Sequence, residues 1–246
     1  MCTVSIIPTP ETSGYRVVCN RDELLGRTRA TRPRWRTAAH RRALWPIDTQ
    51  AGGTWIGAAE HGLTLCLLNM NPEPPADLAG VPGLVSRGLV IPALIAQPDA
   101  PQAARALSRL TLPRFAPFRL VAIDRGGRGG APRVVEARWD RRALSVSPES
   151  DAPACFVSSG LGDSLVLPRL DLFREIVLAR GATPEAQDRF HDHRWDDRPE
   201  ISVRMSRVDA RTVSVTTVEV VGAPDAPRVS MDYRPLPERE AEPVSA

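Results

Sequence analysis

The residue best suited to catalytic chemistry is Cys2, which directly follows the initiator methionine. A methionine followed by a side chain as small as cysteine is a good substrate for methionine removal, and Cys2 would then become the first residue. An N-terminal cysteine carries a thiol with a pKa of about 8.5 and an α-amine with a pKa of about 8 on the same carbon. The amine can act as the general base for this thiol, so the nucleophile needs no histidine partner.

A first β-hairpin should position Cys2. Residues 2–7 and 15–19 are rich in residues that favour strands, and a segment of proline, threonine, serine and glycine separates them. Folding the chain about Glu11 places Cys2 opposite Asn20. The second strand therefore ends at the edge where the new amino terminus would begin.

The hairpin should also bring the polar tetrad Asn20-Arg21-Asp22-Glu23 to Cys2. Asn20 and Arg21 supply hydrogen-bond donors, and Asp22 and Glu23 supply acceptors. Asp22 or Glu23 could hold the α-amine, while Arg21 could lower the pKa of the thiol or bind an anionic group of a substrate.

A second hairpin is predicted from residues 54–58 and 63–68, with a turn at 60–62. Folding about this turn places Asn69 beside Gly53. Glycine permits a tight turn or a close approach of the backbone to a ligand, and a strand-terminal asparagine can donate its amide to a developing oxyanion. Asn69 could instead begin the proline-containing turn that follows it.

Five features occur in an order typical of one family. They are Met-Cys at the start, Asn-Arg-Asp-Glu at 20–23, Arg32-Pro33, Gly-Gly-Thr-Trp-Ile-Gly at 52–57, and Asn69. As a set they resemble the NRDE family, also named for transport and Golgi organisation protein 2. That family is similar to N-terminal-nucleophile hydrolases of the choloylglycine type, which have a four-layer αββα sandwich and cleave non-peptide amide bonds.

The resemblance implies roles for several residues. It makes Asn69 the oxyanion-hole candidate and Arg204, in a predicted late strand, a further site residue, although Arg204 could also be a cross-strand surface arginine. The hydrolases place an arginine three positions before the aspartate, where this chain has Cys19. Relatives carry a second asparagine where this chain has Gly160, so neighbouring serines (Ser158, Ser159) or backbone N–H groups would have to supply that donor.

The composition is that of an ordinary globular protein. The chain has 246 residues, 42% of them hydrophobic, and a net charge of +3. No apolar run is long enough for a membrane span and no secretory signal is evident, so we expect a cytoplasmic protein. Residues 27–42 form an arginine-rich segment that could be an anion-binding rim or a solvated loop, and the Arg-Gly-Gly segment at 125–130 is typical of a hairpin connection. We expect no nucleic-acid partner.

No metal or cofactor site is expected. The four cysteines lack the spacing of a metal site or a disulfide framework. His191-Asp192-His193 has its histidines at i and i+2, which is typical of a solvated helix end and not of a zinc site.

The predicted element order is strands, a helix pair, strands, a helix pair and strands. The helix pairs fall at 84–96 with 100–110 and at 166–180 with a helix from 183, and strands are predicted at 118–124, 133–139, 143–147, 154–158, 201–205, 212–221 and 228–233. This α+β order lacks βαβ alternation, and the resemblance implies the αββα sandwich. We expect one domain over 1–235 and a disordered tail over 236–246.

Together these features predict an N-terminal-cysteine hydrolase or acyltransferase that acts on a non-peptide amide or thioester bond of a small molecule. The expected catalytic residues are Cys2, Asp22, Asn69 and Arg204, and the expected substrate-binding residues are Asn20, Arg21, Glu23 and Gly53. The alternative is a non-catalytic binding or trafficking protein on the same fold, with haem or an acyl-lipid as its ligand.

Overall fold

The computed structural model describes residues 2–71, 76, 78, 81–223 and 226–237. The strands, numbered in chain order, are β1 (Cys2–Thr9), β2 (Gly14–Leu24), β3 (Arg34–Ala38), β4 (Arg41–Trp45), β5 (Ile56–Ala59), β6 (Thr64–Asn69), β7 (Phe118–Asp124), β8 (Arg133–Trp139), β9 (Leu144–Val146), β10 (Ser150–Asp151), β11 (Ala154–Val157), β12 (Ala210–Val221) and β13 (Arg228–Pro235). The helices are α1 (Val90–Leu94), α2 (Ala100–Ala106), α3 (Pro168–Ile176) and α4 (Pro184–Asp192). The predicted alternation of strands and helix pairs is confirmed.

The strands form two antiparallel sheets. Sheet A has the order β11-β1-β2-β12-β13, so β1 lies inside the sheet with Cys2 at its beginning. Sheet B has the order β10-β8-β7-β6-β5-β4-β3, with β9 also paired to β8. Ile56 pairs with Cys66 in sheet B, which confirms the register predicted by folding the second hairpin about 60–62.

Apolar clusters join four layers in the order helices, sheet, sheet, helices. The two sheets pack face to face, α1 and α2 cover the outer face of sheet B, and α3 and α4 cover the outer face of sheet A. Members of the clusters include Val17 and Ile56 between the sheets, Leu65 and Ile91 under α1 and α2, and Ile7 and Phe190 under α3 and α4. The central strands are buried on both faces, and the face of sheet A under α3 and α4 also carries buried polar side chains, among them Ser5, Asn20 and Asp22. The αββα sandwich is confirmed.

Local sequence explains how the helices begin. The Thr183 hydroxyl caps α4 by accepting a hydrogen bond from the Ala186 N–H at 3.3 Å, and a proline follows the cap. The first predicted helix is shorter than expected, since α1 starts only at Val90. Pro92 therefore lies in the first turn of α1, where its missing N–H would have had no partner within the helix.

Three predicted segments differ from the structure. Residues 201–205 are not a strand: a 3-10 turn that begins at Pro199 ends at Ile201, and the next strand is β12. The segment at 27–42 is not all loop, since it contains β3 and the start of β4. Leu236, assigned to the tail, is 7 % exposed and clusters with Val18 and Val215. The rest of the predicted tail, from 238 onward, lies outside the described residues.

Candidate active site

The register of the first hairpin decides which residues reach Cys2. Cys2 pairs with Arg21, not with Asn20 as folding about Glu11 predicted. A four-residue connection, 10–13, joins the strands and moves the centre of the hairpin by half a residue. Since side chains alternate between the faces of a strand, this one-residue change in pairing exchanges the two faces of the polar tetrad.

Arg21 and Glu23 consequently share the face of Cys2, and the side chains of all three line the same cavity. The arginine of similar hydrolases aligns with Cys19, two positions before Arg21, yet Arg21 lies directly across from Cys2. Asn20 and Asp22 point to the opposite face of sheet A, toward α3 and α4.

Cys2 itself is held from both neighbouring strands. Strand β1 pairs with β2 on one edge and with β11 on the other, and Ser158 follows directly after β11. The Cys2 backbone N–H donates to the Ser158 hydroxyl at 3.1 Å, and the Ser158 N–H donates to the Cys2 carbonyl at 3.0 Å. Cys2 is 3 % exposed, so its thiol meets solvent only through the cavity.

The cavity at Cys2 has a volume of about 180 Å³ and mostly polar walls. Its charged lining residues are Arg21, Glu23, Arg27, Asp48 and Arg87. Asn69 and Gly53 line it as well, so four other residues predicted from sequence meet Cys2 there. Those four are Arg21, Glu23, Gly53 and Asn69.

Four of the charged residues form one closed network. Asp48 accepts hydrogen bonds from Arg21 at 2.6 Å and from Arg27 at 2.9 Å, and Glu23 accepts one from Arg21 at 3.2 Å. The Arg21 guanidinium also lies 4.5 Å from the ring centroid of Trp55. Burial opposes ionisation of Asp48, but the hydrogen bonds from Arg27 and the backbone and the charge of Arg21 outweigh it and lower the pKa of Asp48.

The Cys2 thiol is the group in this cavity that is prepared to ionise. A hydrogen bond from the Cys19 thiol is the main cause that lowers the pKa of Cys2; the charge of Arg21 acts in the same direction, while burial and Asp22 oppose it. The same hydrogen bond and burial raise the pKa of Cys19. The Cys19 thiol also reaches the Asn20 carbonyl at 3.8 Å, but a thiolate on Cys2 is the stronger acceptor because it is charged.

Asn69 ends β6, and within the described part of the chain its side-chain amide makes no hydrogen bond, so its N–H groups are free to meet a ligand. Gly53 is required to be glycine by the close approach of another backbone segment and not by a ligand. A Cβ on Gly53 would lie 2.5 Å from the Gly88 carbonyl carbon, and the N–H of Thr54 donates to the Gly88 oxygen at 3.0 Å. Gly53 thus allows two segments of the wall to touch.

The structure does not bring Asn20 to the cavity. Its side-chain N–H groups donate to the carbonyls of His191 at 2.8 Å and Val203 at 2.9 Å, so its amide oxygen faces the His191 Nδ1 at 2.9 Å. The His191 Nε2 in turn lies 2.7 Å from the Ser5 hydroxyl. His191 is 1 % exposed, so the predicted solvated helix end was wrong. Ser5 and Asn20 are fully buried, and this Ser-His-Asn arrangement has no access for a substrate.

Asp22 and Arg204 also lie outside the cavity wall. Asp22 accepts a hydrogen bond from the Thr212 hydroxyl at 2.6 Å and lies 3.7 Å from the buried Arg169 guanidinium, and burial raises its pKa. Arg204 forms an ion pair with Asp192 at 3.4 Å beside the end of α4. Arg204 is not in a strand and does not line the cavity at Cys2.

The family model described as transport and Golgi organisation 2 (TANGO2) matches residues 1–148, which include Cys2, the polar tetrad and Asn69. The chain belongs to the TANGO2 family. A search of curated proteins found no match to the chain.

Solved structures similar to this TANGO2-family chain are N-terminal-nucleophile hydrolases. One is a Caenorhabditis elegans N-acylethanolamine-hydrolyzing acid amidase ortholog, with a TM-score of 0.58 and 12% identity over 92% of this chain and 95% of that one. Another is penicillin V acylase from Agrobacterium tumefaciens, with a TM-score of 0.51 and 12% identity over 94% and 85%. The C2A mutant of conjugated bile acid hydrolase from Clostridium perfringens has a TM-score of 0.51 and 10% identity over the full length of both chains. At these identities the likeness shows the fold alone.

Among the donors considered in place of the second asparagine, Ser158 is the one that contacts Cys2. The Ser159 N–H donates instead to the Asp163 carboxylate at 3.0 Å, and Gly160 lines a neighbouring cavity. Ser158 therefore holds the backbone of the TANGO2-family cysteine.

Sequence reasoning missed Asp48 and Arg87. Asp48 is a single aspartate in a loop, and no local pattern connects it to Arg21. Arg87 follows Ser86, whose hydroxyl accepts a hydrogen bond from the Gly88 N–H at 3.2 Å, and this local capping pattern says nothing about the Arg87 side chain. Trp55 belongs to the family motif at 52–57, so that motif was an available signal for it.

Within the described residues, no helix is long and apolar enough to cross a membrane. The same residues contain no group of three or more His, Cys, Asp or Glu side chains placed to hold a metal ion.

Proposed function

We propose that this protein is an N-terminal-cysteine hydrolase or acyltransferase that acts on an amide or thioester bond of a small molecule. The observation that carries the proposal is the position of Cys2. Its thiol has a lowered pKa and lies at a polar cavity that Arg21 and Asn69 also line. A thiol, a guanidinium and an amide donor that has no hydrogen-bond partner among the described residues therefore line one small volume.

The chemistry follows from these groups once Met1 is removed. The α-amine of Cys2 then takes the place of the backbone N–H that donates to Ser158. The Cys2 sulfur attacks the acyl carbon and forms a thioester, the Asn69 amide donates to the oxyanion, and the leaving amine or thiol takes the proton held by the α-amine. Water or an acceptor amine then attacks the thioester, and the Cys2 thiol is restored with its proton.

The fold relatives support this reaction class. They are named as an acid amidase, a penicillin acylase and a bile acid hydrolase, and the last was solved with its own second residue, a cysteine, changed to alanine. For this chain we propose acyl transfer at Cys2 and not the particular substrates of these relatives.

The alternative function is binding of haem or an acyl-lipid without turnover. The Cys2 cavity, at about 180 Å³ with five charged residues in its wall, is smaller and more polar than the apolar pockets that enclose large hydrophobic ligands. This composition favours a small polar substrate. A haem titration distinguishes the two functions. A Soret shift in the wild type that disappears in Cys2→Ala would favour the binding function.

The test of the proposed function is chemical. Intact mass should show loss of Met1 in protein made in a native type of host, and a thiol-reactive acylating probe should label the wild type at neutral pH but not Cys2→Ala. Cys155→Ala is the matched control, because burial raises the pKa of Cys155 and its removal should leave labelling unchanged. Retention of Met1, or equal labelling of Cys2→Ala, would refute an autonomous N-terminal nucleophile.

A further inference from the structure

Three arginines line the Cys2 cavity, and two of them already have anionic partners. Arg21 and Arg27 share Asp48, and Glu23 also lies 3.2 Å from Arg21. Two guanidiniums and two carboxylates thus neutralise each other within this network. The third arginine, Arg87, stands outside it.

Arg87 has no carboxylate within ion-pair distance among the described residues. Its guanidinium donates one hydrogen bond, to the Pro117 carbonyl at 3.0 Å. It is partly buried, and burial lowers its pKa, although the charges of Glu23 and of a Cys2 thiolate act in the opposite direction without contacting it. A guanidinium withdrawn from water with no carboxylate in contact is costly, and a ligand carboxylate would supply the missing contact.

The backbone fixes Arg87 at this position. Gly88, the next residue, packs against Gly53 so closely that neither can carry a Cβ without displacement, and Thr54 donates to the Gly88 carbonyl. Arg87 lines both the Cys2 cavity and the neighbouring one that contains Leu161. Its guanidinium is therefore held at the junction of two cavities, beside the nucleophile.

We infer that Arg87 is a substrate-binding residue that pairs with a carboxylate of the substrate, so the preferred substrates are anionic acyl compounds and not neutral ones. This inference deepens the proposed function and rests on it. The carboxylate would form a charge-assisted hydrogen bond with Arg87 while the acyl carbon lies at Cys2. Arg87 would thereby select among substrates without taking part in bond cleavage.

Iodoacetate and iodoacetamide provide matched probes, since they alkylate a thiol by the same reaction and differ in one carboxylate. The measurement is the ratio of their rate constants at Cys2, normalised to the ratio for N-acetylcysteine. The ratio should favour iodoacetate in the wild type and fall about tenfold in Arg87→Gln. Arg87→Lys, which keeps the charge, should lose less than about threefold. Arg114→Gln removes an exposed arginine outside the cavity and should leave the ratio within about twofold of wild type.

Each outcome decides the inference. A fall in the ratio confined to Arg87→Gln supports it. An unchanged ratio overturns it, and so does an equal loss of rate with both reagents, which would mean that Arg87 acts on the Cys2 thiolate. If Cys2 reacts with neither reagent, the proposed function fails, and thermal unfolding then decides the inference. N-acetylglycine, but not neutral N-acetylglycinamide, should raise the Tm of the wild type and not that of Arg87→Gln, and no such difference would overturn the anion site.

Discussion

Replacing His191 with glutamine should make the stability of the fold less sensitive to acid. His191 belongs to α4, and its side chain faces sheet A, where it contacts Ser5 and Asn20. Because the Asn20 amide oxygen can only accept, the His191 Nδ1 carries the proton, and the Nε2 accepts from Ser5. The neutral imidazole satisfies every partner, whereas a protonated imidazole would direct a second N–H at the Ser5 hydroxyl.

The magnitude follows from the two pKa values of His191. Burial, with smaller contributions from Arg16 and Arg169, lowers the pKa of His191 from 6.5 to about 3. The unfolded chain therefore binds a proton between these values and the folded chain does not. Stability from this group is fully present above pH 6.5 and is lost as the pH falls toward 3. Between pH 7 and pH 5 the linkage relation gives a loss of about 2 kcal/mol in the free energy of unfolding.

Urea unfolding followed by tryptophan fluorescence at pH 7, 6 and 5 measures this loss. The compared quantity is the change in unfolding free energy with pH, because His191→Gln will also lower absolute stability by disturbing its hydrogen bonds. The wild type should lose about 2 kcal/mol more than His191→Gln over this interval. His40→Gln, which removes an exposed imidazole, serves as the control and should follow the wild type. Parallel pH profiles of the wild type and His191→Gln would refute a buried neutral His191.

Two further substitutions test the surroundings of Cys2 and the wall of the cavity. Cys19→Ala removes the hydrogen bond that lowers the pKa of Cys2, so alkylation of Cys2 by iodoacetamide at pH 7 should slow about tenfold and recover at high pH; a rate that is slow at every pH would point to misfolding. Gly53→Ala places a Cβ 2.5 Å from the Gly88 carbonyl carbon and should destabilise the protein by about 1–3 kcal/mol in urea unfolding. Gly26→Ala, where a Cβ meets no atom within 4 Å, is the matched control, and equal stabilities of the two variants would contradict the close contact.

Local sequence patterns were sufficient to identify several parts of the site. The two hairpins follow from strand-forming runs and turn residues, and the second hairpin has the register that its turn predicts. Cys2 at the start, Asn69 at the end of β6 and the motif containing Gly53 were identified from the sequence and line one cavity. These features depend on residues close in the chain, where turn chemistry and strand propensity act directly.

The two faces of the polar tetrad depended on the length of one connection. A four-residue turn, in which Ser13 adopts a left-handed φ of 50°, pairs Cys2 with Arg21. A turn centred on Glu11 would have paired it with Asn20. Strand side chains alternate with a period of two. A shift of the turn centre by half a residue changes the pairing by one residue, and this decides which members of the tetrad face Cys2.

The sequence by itself determined the candidate nucleophile, the family resemblance and the order of strands and helices. Only the tertiary structure decided that Asp48 neutralises Arg21, that Ser158 holds Cys2 and that His191 is buried. It also decided that Arg87 lies at the cavity with no carboxylate of the described residues within ion-pair distance. Each of these contacts joins residues far apart in the chain. They depend on how two sheets and two helix pairs stack, and no local periodicity records that stacking.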